Sequence, residues 1–225
     1  KDYFGIDGNV LAWIKSYLMG RTSSVGIDRT ESVHRNVKQG VPQGSVLGPI
    51  LFILYLTPLK EIILNHHIHY HVYADDIQLY LPFDWGVSGD HELAHARLRS
   101  CIKDIKTWMA TNCLIINESK SEFMYLQSDH HHHTKRKMPL QLEDSIIYPK
   151  EKVKNLGVML DDSLSMKNQI GALVSHCSYH LRKIGRVRRN LTLEACHSAV
   201  RFSILSRLDY CNSLLFSAGS TQIQR

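Results

Sequence analysis

The sequence predicts an α+β protein, and three observations carry that prediction. Two runs alternate apolar and polar residues on either side of an Asp-Asp pair. One later stretch repeats apolar residues every three or four positions, and everything after Ser163 keeps helical spacing. Apolar residues make up 44% of the 225, which suits a packed core and not a disordered chain.

At 10–18, Val10, Leu11, Ile14, Tyr17 and Leu18 share one helical face and Gly20 follows as a stop, so a short helix is expected. Residues 24–28 and 32–37 read as a hairpin, with Val25 and Ile27 alternating against polar neighbours. From 45 to 65 the apolar density predicts one buried helix, because Pro49 falls in a first turn where its missing N–H has no partner to lose. Ile68, Tyr70 and Val72 alternate with His67, His69 and His71 before Asp75-Asp76, and Ile77, Leu79 and Leu81 alternate again. That is a strand, a tight turn and a strand.

Leu98, Cys101, Ile102, Ile105, Trp108 and Met109 mark an amphipathic helix that should pack on one face of the sheet. Residues 121–126 and 154–160 read as further strands. The polar run 127–137, with His130-His131-His132-His133 and Lys135-Arg136-Lys137, offers no core and reads as a surface loop. In the helical remainder Arg182, Lys183, Arg186, Arg188 and Arg189 concentrate positive charge.

Lys and Arg outnumber Asp and Glu by 27 to 21 and the pI is about 9.0, a balance compatible with a polyanionic partner. Cys101, Cys113, Cys177, Cys196 and Cys211 are widely spaced and form no C-x-x-C pair, so reduced, mostly buried thiols are expected rather than a disulfide frame or zinc ribbon. The apolar run 46–59 is interrupted by Gly48, Pro49 and Pro58 and falls short of the roughly 20 residues of a membrane span, so no membrane partner is expected. A first residue Lys1 and a last stretch 221–225 without a helix stop suggest a piece of a longer protein. His66, His67, His69 and His71 invite a metal reading, which the alternation argues against by placing three of them on one solvent-facing strand face.

The most informative stretch is Gly40-Val41-Pro42-Gln43-Gly44-Ser45-Val46-Leu47-Gly48-Pro49, followed after a helix and a strand by Tyr73-Ala74-Asp75-Asp76. Gly40 and Gly44 let the backbone approach a base or sugar, Pro42 stiffens the loop, and Gln43 offers an amide donor and acceptor. A loop of this kind, running to Ser45, suits a nucleotide-binding wall. It is not a P-loop, since no G-K-[ST] follows its glycines. Asp75 and Asp76 at a hairpin tip form a compact hard-oxygen site suited to Mg²⁺, above all once substrate phosphates share the coordination shell. An Asp pair alone is ordinary turn chemistry; the Gly-rich loop upstream is what gives it weight.

The G-V-P-Q-G-S-x-L-G-P and Y-A-D-D segments resemble the fourth and fifth conserved blocks of reverse transcriptases, in the order and spacing of the non-LTR (LINE-like) retrotransposon branch. Asn117-Glu118-Ser119-Lys120-Ser121-Glu122 is similar to the family's N-x-x-K-[ST]-E block, which implies that Lys120 lies near the incoming triphosphate and protonates the leaving pyrophosphate. Asn155-Leu156-Gly157-Val158-Met159-Leu160-Asp161 resembles the block whose hairpin grips the primer end, with Leu156 and Gly157 in matching places and Asn155 where an aromatic is usual. Residues 4–8 and 13–18 resemble the lead-in to the fourth block, and Ser206-Arg207-Leu208-Asp209-Tyr210-Cys211-Asn212-Ser213 resembles the thumb. Group II intron and telomerase-type enzymes match the last two blocks less well.

The resemblance implies a right-hand polymerase palm, an antiparallel sheet backed by helices, with partial fingers and a helical partial thumb. It divides the chain into 1–66 (end of fingers, palm helix and Gly-rich loop), 67–164 (catalytic and primer-grip-like hairpins) and 165–225 (thumb). It implies an RNA-directed DNA polymerase that takes an RNA template, a DNA primer and deoxynucleoside triphosphates. The implied cofactor is two Mg²⁺ ions, with Mn²⁺ as alternative, and Asp75 and Asp76 as ligands; the implied setting is an intracellular ribonucleoprotein, nuclear or cytoplasmic. The family's first aspartate comes from a D-x-x-x-A-F-D block absent from these residues, so the chain alone is expected to be inactive. The alternative is a non-catalytic remnant that binds nucleic acid or protein. Oligomeric state is not legible.

Overall fold

The computed structural model of the chain describes residues 3–127 and 137–217. The fold is mixed: helices interleaved with small antiparallel sheets, in two compact units, Lys1–Tyr80 and Leu81–Arg225.

In the first unit, α1 (Gly8–Leu18) is the expected short helix, and the chain leaves it through Gly20 in the left-handed region. The expected hairpin follows as two short ladders: β1 (Thr22–Ser23) with β4 (Arg35–Asn36), and β2 (Gly26–Ile27) with β3 (Thr30–Glu31). Val25 and Ile27 are exposed, so this hairpin has no buried face. The single helix expected over 45–65 is instead α2 (Gly48–Leu56) and α3 (Leu59–Asn65). Pro58 has no N–H for the Leu54 carbonyl, which accepts from Thr57 N–H in a tighter turn at 3.3 Å.

The pair is only partly buried. Leu56, Leu59 and Ile63 are inside, whereas Ile50, Ile53, Tyr55 and Leu64 are exposed. By length and composition alone Gly48–Asn65 is sufficient to cross a bilayer, a longer apolar stretch than the 46–59 counted from sequence. After the fully buried Ile68, β5 (His69–Tyr73) pairs antiparallel with β6 (Asp76–Tyr80), and α3 lies against β5.

In the second unit α4 (Asp90–Thr111) starts eight residues before the apolar stripe read from sequence. Cys101, Ile105 and Met109 form its buried stripe, each such side chain contributing about 2 kcal/mol as an upper bound. Its first two turns bury His91 and His95 as well. Both Nε2 atoms meet the buried Tyr125 hydroxyl, at 2.7 and 2.6 Å, and that hydroxyl donates to the Met138 carbonyl at 3.0 Å. Burial pushes the Tyr125 phenol up to about 12 and the Cys101 thiol up to about 11. It also lowers His95, helped by the charges of His91 and Arg99.

The expected strand over 121–126 is not formed. Phe123 makes one isolated bridge to Pro149, because the backbone of this segment bonds to two separate places, Lys150 N–H to the Phe123 carbonyl and Gln127 N–H to the Asp162 carbonyl, and no single strand runs beside it. Two hairpins follow: β7 (Leu140–Gln141) with β8 (Ile146–Ile147), and β9 (Lys152–Asn155) with β10 (Val158–Asp161). α4 packs on β7, so the helix does meet a sheet, though a two-stranded one. The continuous sheet expected from sequence is replaced, among the described residues, by five two-stranded sheets. Each pair joins strands near one another in sequence.

Asp161 organises the entry to the last helices. Its carboxylate accepts from Ser165 N–H at 2.6 Å, Ser165 Oγ at 3.0 Å and Ser163 Oγ at 3.2 Å, bracing a bend in which Leu164 and Met166 both have positive φ. From there α5 (Lys167–Val187), α6 (Leu193–Val200) and α7 (Ser206–Asp209), joined by tighter and wider helical turns, fulfil the helical expectation. Thr192 caps α6 by accepting from Ala195 N–H. Val158, Met166 and Ile170 form a core cluster against which Leu160, Cys211 and Leu215 pack. The cysteines are free as expected, but only Cys101 and Cys177 are buried, and Cys113 is exposed. Most of the polar run 127–137 lies outside the described residues; at its end Lys137 pairs with the buried Asp162 at 2.7 Å.

Candidate active site

The Asp-Asp pair sits where its hairpin puts it. Tyr73 faces Asp76 across the ladder, leaving Ala74 and Asp75 as the whole turn. Ala74 takes φ +52°, a left-handed conformation that costs a residue with a Cβ about 1 kcal/mol. Asp75 and Asp76 are exposed, side by side at the tip. Below them the pair is held by its own ladder and by the stacking of His69 on Tyr80, ring centroids 5.6 Å apart. His69 and His71 share a strand face as expected, while His67 precedes the strand with φ +53°.

Among the described residues no third His, Cys, Asp or Glu gathers with a neighbouring pair to complete a metal cage. Two exposed adjacent carboxylates nevertheless suit Mg²⁺, which keeps several waters and takes one or two protein carboxylates alongside substrate phosphates. β5 and β6 pair with no third strand among the described residues. Both edges of the hairpin therefore present backbone groups outside its ladder.

The Gly-rich loop lies in the same unit. Gly40 and Gly44 adopt φ +77° and +81°, and nothing lies within 4 Å of where a Cβ would stand, so the loop presents bare backbone to open space. Pro42 and Gln43 are exposed. Ser45 has a local task as well: its hydroxyl accepts from Gly48 N–H at 3.1 Å and starts α2. The residue that anchors the loop escaped the sequence reading. Arg21 donates to the Gly40 carbonyl at 2.6 Å and to the Leu18 carbonyl at 3.0 Å, tying the loop to the end of α1. Nothing in the sequence distinguishes Arg21 from any turn arginine.

Lys120 and the Leu156–Gly157 turn belong to the second unit. Lys120 is exposed at the end of a single 3₁₀ turn, Glu118–Lys120. Asn117 builds that turn, accepting from Lys120 N–H at 3.1 Å, Ser121 Oγ at 3.2 Å and, through its side chain, Ser119 Oγ at 2.7 Å. Glu118 pairs with Lys106 of α4, which holds the Glu118 carboxyl below its ordinary value and raises Lys106. Leu156 and Gly157 form the turn between β9 and β10, with φ +45° and +87°.

Residues 1–160 match the family described as reverse transcriptase (RNA-dependent DNA polymerase). The chain is 29% identical over 172 residues to the probable RNA-directed DNA polymerase from transposon X-element of Drosophila melanogaster, covering 75% of this chain and 17% of that protein. It is 26% identical over 189 residues to the probable RNA-directed DNA polymerase from transposon BS of the same species, covering 81% of this chain and 19% of that protein. The RNA-directed DNA polymerase from mobile element jockey of Drosophila funebris is 27% identical over 166 residues, covering 71% and 17%. The chain thus spans less than a fifth of the length of these relatives. No solved structure matches it. With the matched region holding the Gly-rich loop, the Asp-Asp hairpin and the Lys120 turn, the chain belongs to the reverse transcriptase (RNA-dependent DNA polymerase) family, alongside the polymerases of non-LTR transposons.

Proposed function

We propose that this chain supplies the metal-binding hairpin, the nucleotide-facing loop and the primer-holding turn of an RNA-templated DNA polymerase. The observation that carries the reading is the exposed Asp75-Asp76 pair on a strained two-residue turn, in a chain of the reverse transcriptase family. Strain at an exposed tip persists where function selects it.

In this reading residues 1–66 end the fingers and carry the palm helix and loop, 67–164 form the palm, and 165–225 begin the thumb. Divalent ions, Mg²⁺ or Mn²⁺, would be held by Asp75 and Asp76 together with a third aspartate from an upstream block, and would neutralise charge on the triphosphate. Bare backbone at Gly40 and Gly44, shaped by Pro42, Gln43 and Ser45, lets the incoming deoxynucleotide lie close. Lys120 gives a proton to the leaving pyrophosphate. Leu156 and Gly157 hold the primer end. The second unit's basic helical residues hold template and primer through phosphate contacts. The setting is an intracellular ribonucleoprotein, nuclear or cytoplasmic. α2 and α3 are assigned to the palm and not to a membrane, on the burial of Leu56, Leu59 and Ile63 within the unit.

Manganese titration read by paramagnetic broadening tests the site directly. Amide signals of residues 73–77 should broaden first, and Asp75→Asn should weaken the effect. Broadening centred elsewhere, or unchanged by the substitution, assigns the ion to another place and leaves the chain a non-catalytic binding module.

A further inference from the structure

The Leu156–Gly157 turn takes a conformation its sequence does not favour. Asn155 faces Val158 across the ladder, so two residues make the whole turn, and both have positive φ. Asn-Gly is the usual occupant, because Asn visits the left-handed region cheaply. A leucine at φ +45° costs about 1 kcal/mol. Contacts from outside the hairpin offset that cost.

Tyr210 supplies them. Its hydroxyl donates to the Leu156 carbonyl at 2.5 Å, and its ring lies 3.5 Å from where a Cβ on Gly157 would stand. The chain leaves α7 at Tyr210 with extended ψ 117°, and Cys211, at φ +55°, turns back with Leu215 onto the Val158, Met166 and Ile170 cluster. The tyrosine is thus held by the same core that carries β10. On the other flank Gln169 of α5 accepts from Met159 N–H at 2.9 Å.

We infer that Tyr210 is a positioning residue for the primer end. It fixes the peptide between Leu156 and Gly157 with the carbonyl toward the tyrosine. In a trans peptide the Gly157 N–H then points the opposite way, as a donor for a phosphate or sugar oxygen. A Cβ at Gly157 would lie in van der Waals contact with the Tyr210 ring, so the turn packs directly on the tyrosine. This inference rests on the assignment of the turn to primer contact made above.

The test uses this chain, a labelled primer–template with a recessed 3′ end, and a blunt duplex of equal length. Affinity is read by fluorescence anisotropy and turn order by amide exchange at residues 156–159. Tyr210→Phe should weaken binding to the recessed end about fivefold, the net worth of one hydrogen bond, leave blunt-duplex binding unchanged and speed exchange at the turn. Leu156→Asn added to Tyr210→Phe should slow exchange at the turn again, whatever it does to the primer contact of Leu156 itself, because Asn-Gly holds such a turn unaided. A generally destabilised protein would lose affinity for both duplexes and would not be rescued. Unchanged exchange in Tyr210→Phe overturns the clamp and leaves the primer assignment standing. Faster exchange with unchanged end preference, or a wild-type chain with no end preference, overturns the primer assignment and this inference with it.

Discussion

Two hairpins of this chain share a plan and differ in support. Each joins its strands through two residues, Ala74-Asp75 in one and Leu156-Gly157 in the other, and each forces a residue with a side chain into the left-handed region. The second turn is held by Tyr210 on one side and Gln169 on the other. The first stands exposed, with its strain carried by the ladder beneath it. On the function proposed above, a fixed turn suits a contact that must not move between catalytic cycles. An unsupported tip with two carboxylates suits a site whose geometry is completed by ions and by another strand.

The largest expected effect tests the exposed tip. In the intact polymerase Asp75→Asn should reduce primer extension by at least about 100-fold, the scale of losing one preorganised electrostatic contact at a reacting centre. Its melting temperature should not change, because the side chain is exposed and makes no supporting bond. A melting shift comparable to the activity loss would mean that the two tips are less different than the geometry says.

The supported turn should show the converse. Gly157→Ala places a Cβ at φ +87° and against the Tyr210 ring, and should cost about 1–2 kcal/mol in urea denaturation. Ala74→Gly should instead stabilise the chain, by about 1 kcal/mol or less, since only the left-handed strain is relieved. If Ala74→Gly lowered stability, the Ala74 turn would be supported by contacts after all.

Acid sharpens the contrast between the units. His95 is held neutral, so the unfolded chain takes up protons that the folded one resists. Its contribution is fully present above the ordinary histidine pKa near 6.5 and is lost as pH falls below it. Melting of the second unit should therefore drop as pH falls below about 6.5, and Tyr125→Phe should destabilise at every pH by leaving two buried histidine donors unmatched. The smallest effect is expected for Lys106→Ala. Its ion pair with Glu118 is partly solvated, so the melt should barely move while exchange at the 118–120 turn quickens.

Much of this was legible in the sequence because it is local. The α1 stripe, the alternation around Asp75-Asp76 and the spacing after Ser163 are set by near neighbours. Pro58 broke a helix whose apolar density had hidden the missing donor. The strand expected over 121–126 failed because its backbone partners, Lys150 and Asp162, lie on separate segments, and the alternation of apolar residues does not show where such partners lie. At the candidate site, the order of the loop, carboxylates and lysine along the chain carries the family resemblance. Arg21 and Tyr210 were not legible, since each acts through a backbone carbonyl that sequence does not display.

Tyr125 has one hydroxyl proton, and the Met138 carbonyl takes it. The Nε2 atoms of His91 and His95 must then each supply their own, which fixes both rings in the same tautomer and leaves Nδ1 as the lone pair. Two histidines four apart on a helix have the spacing of metal ligands, yet both rings are buried and turned to the Tyr125 hydroxyl. Retention of this chain on immobilised nickel should therefore come from its other histidines and survive conversion of His91 and His95 to glutamine.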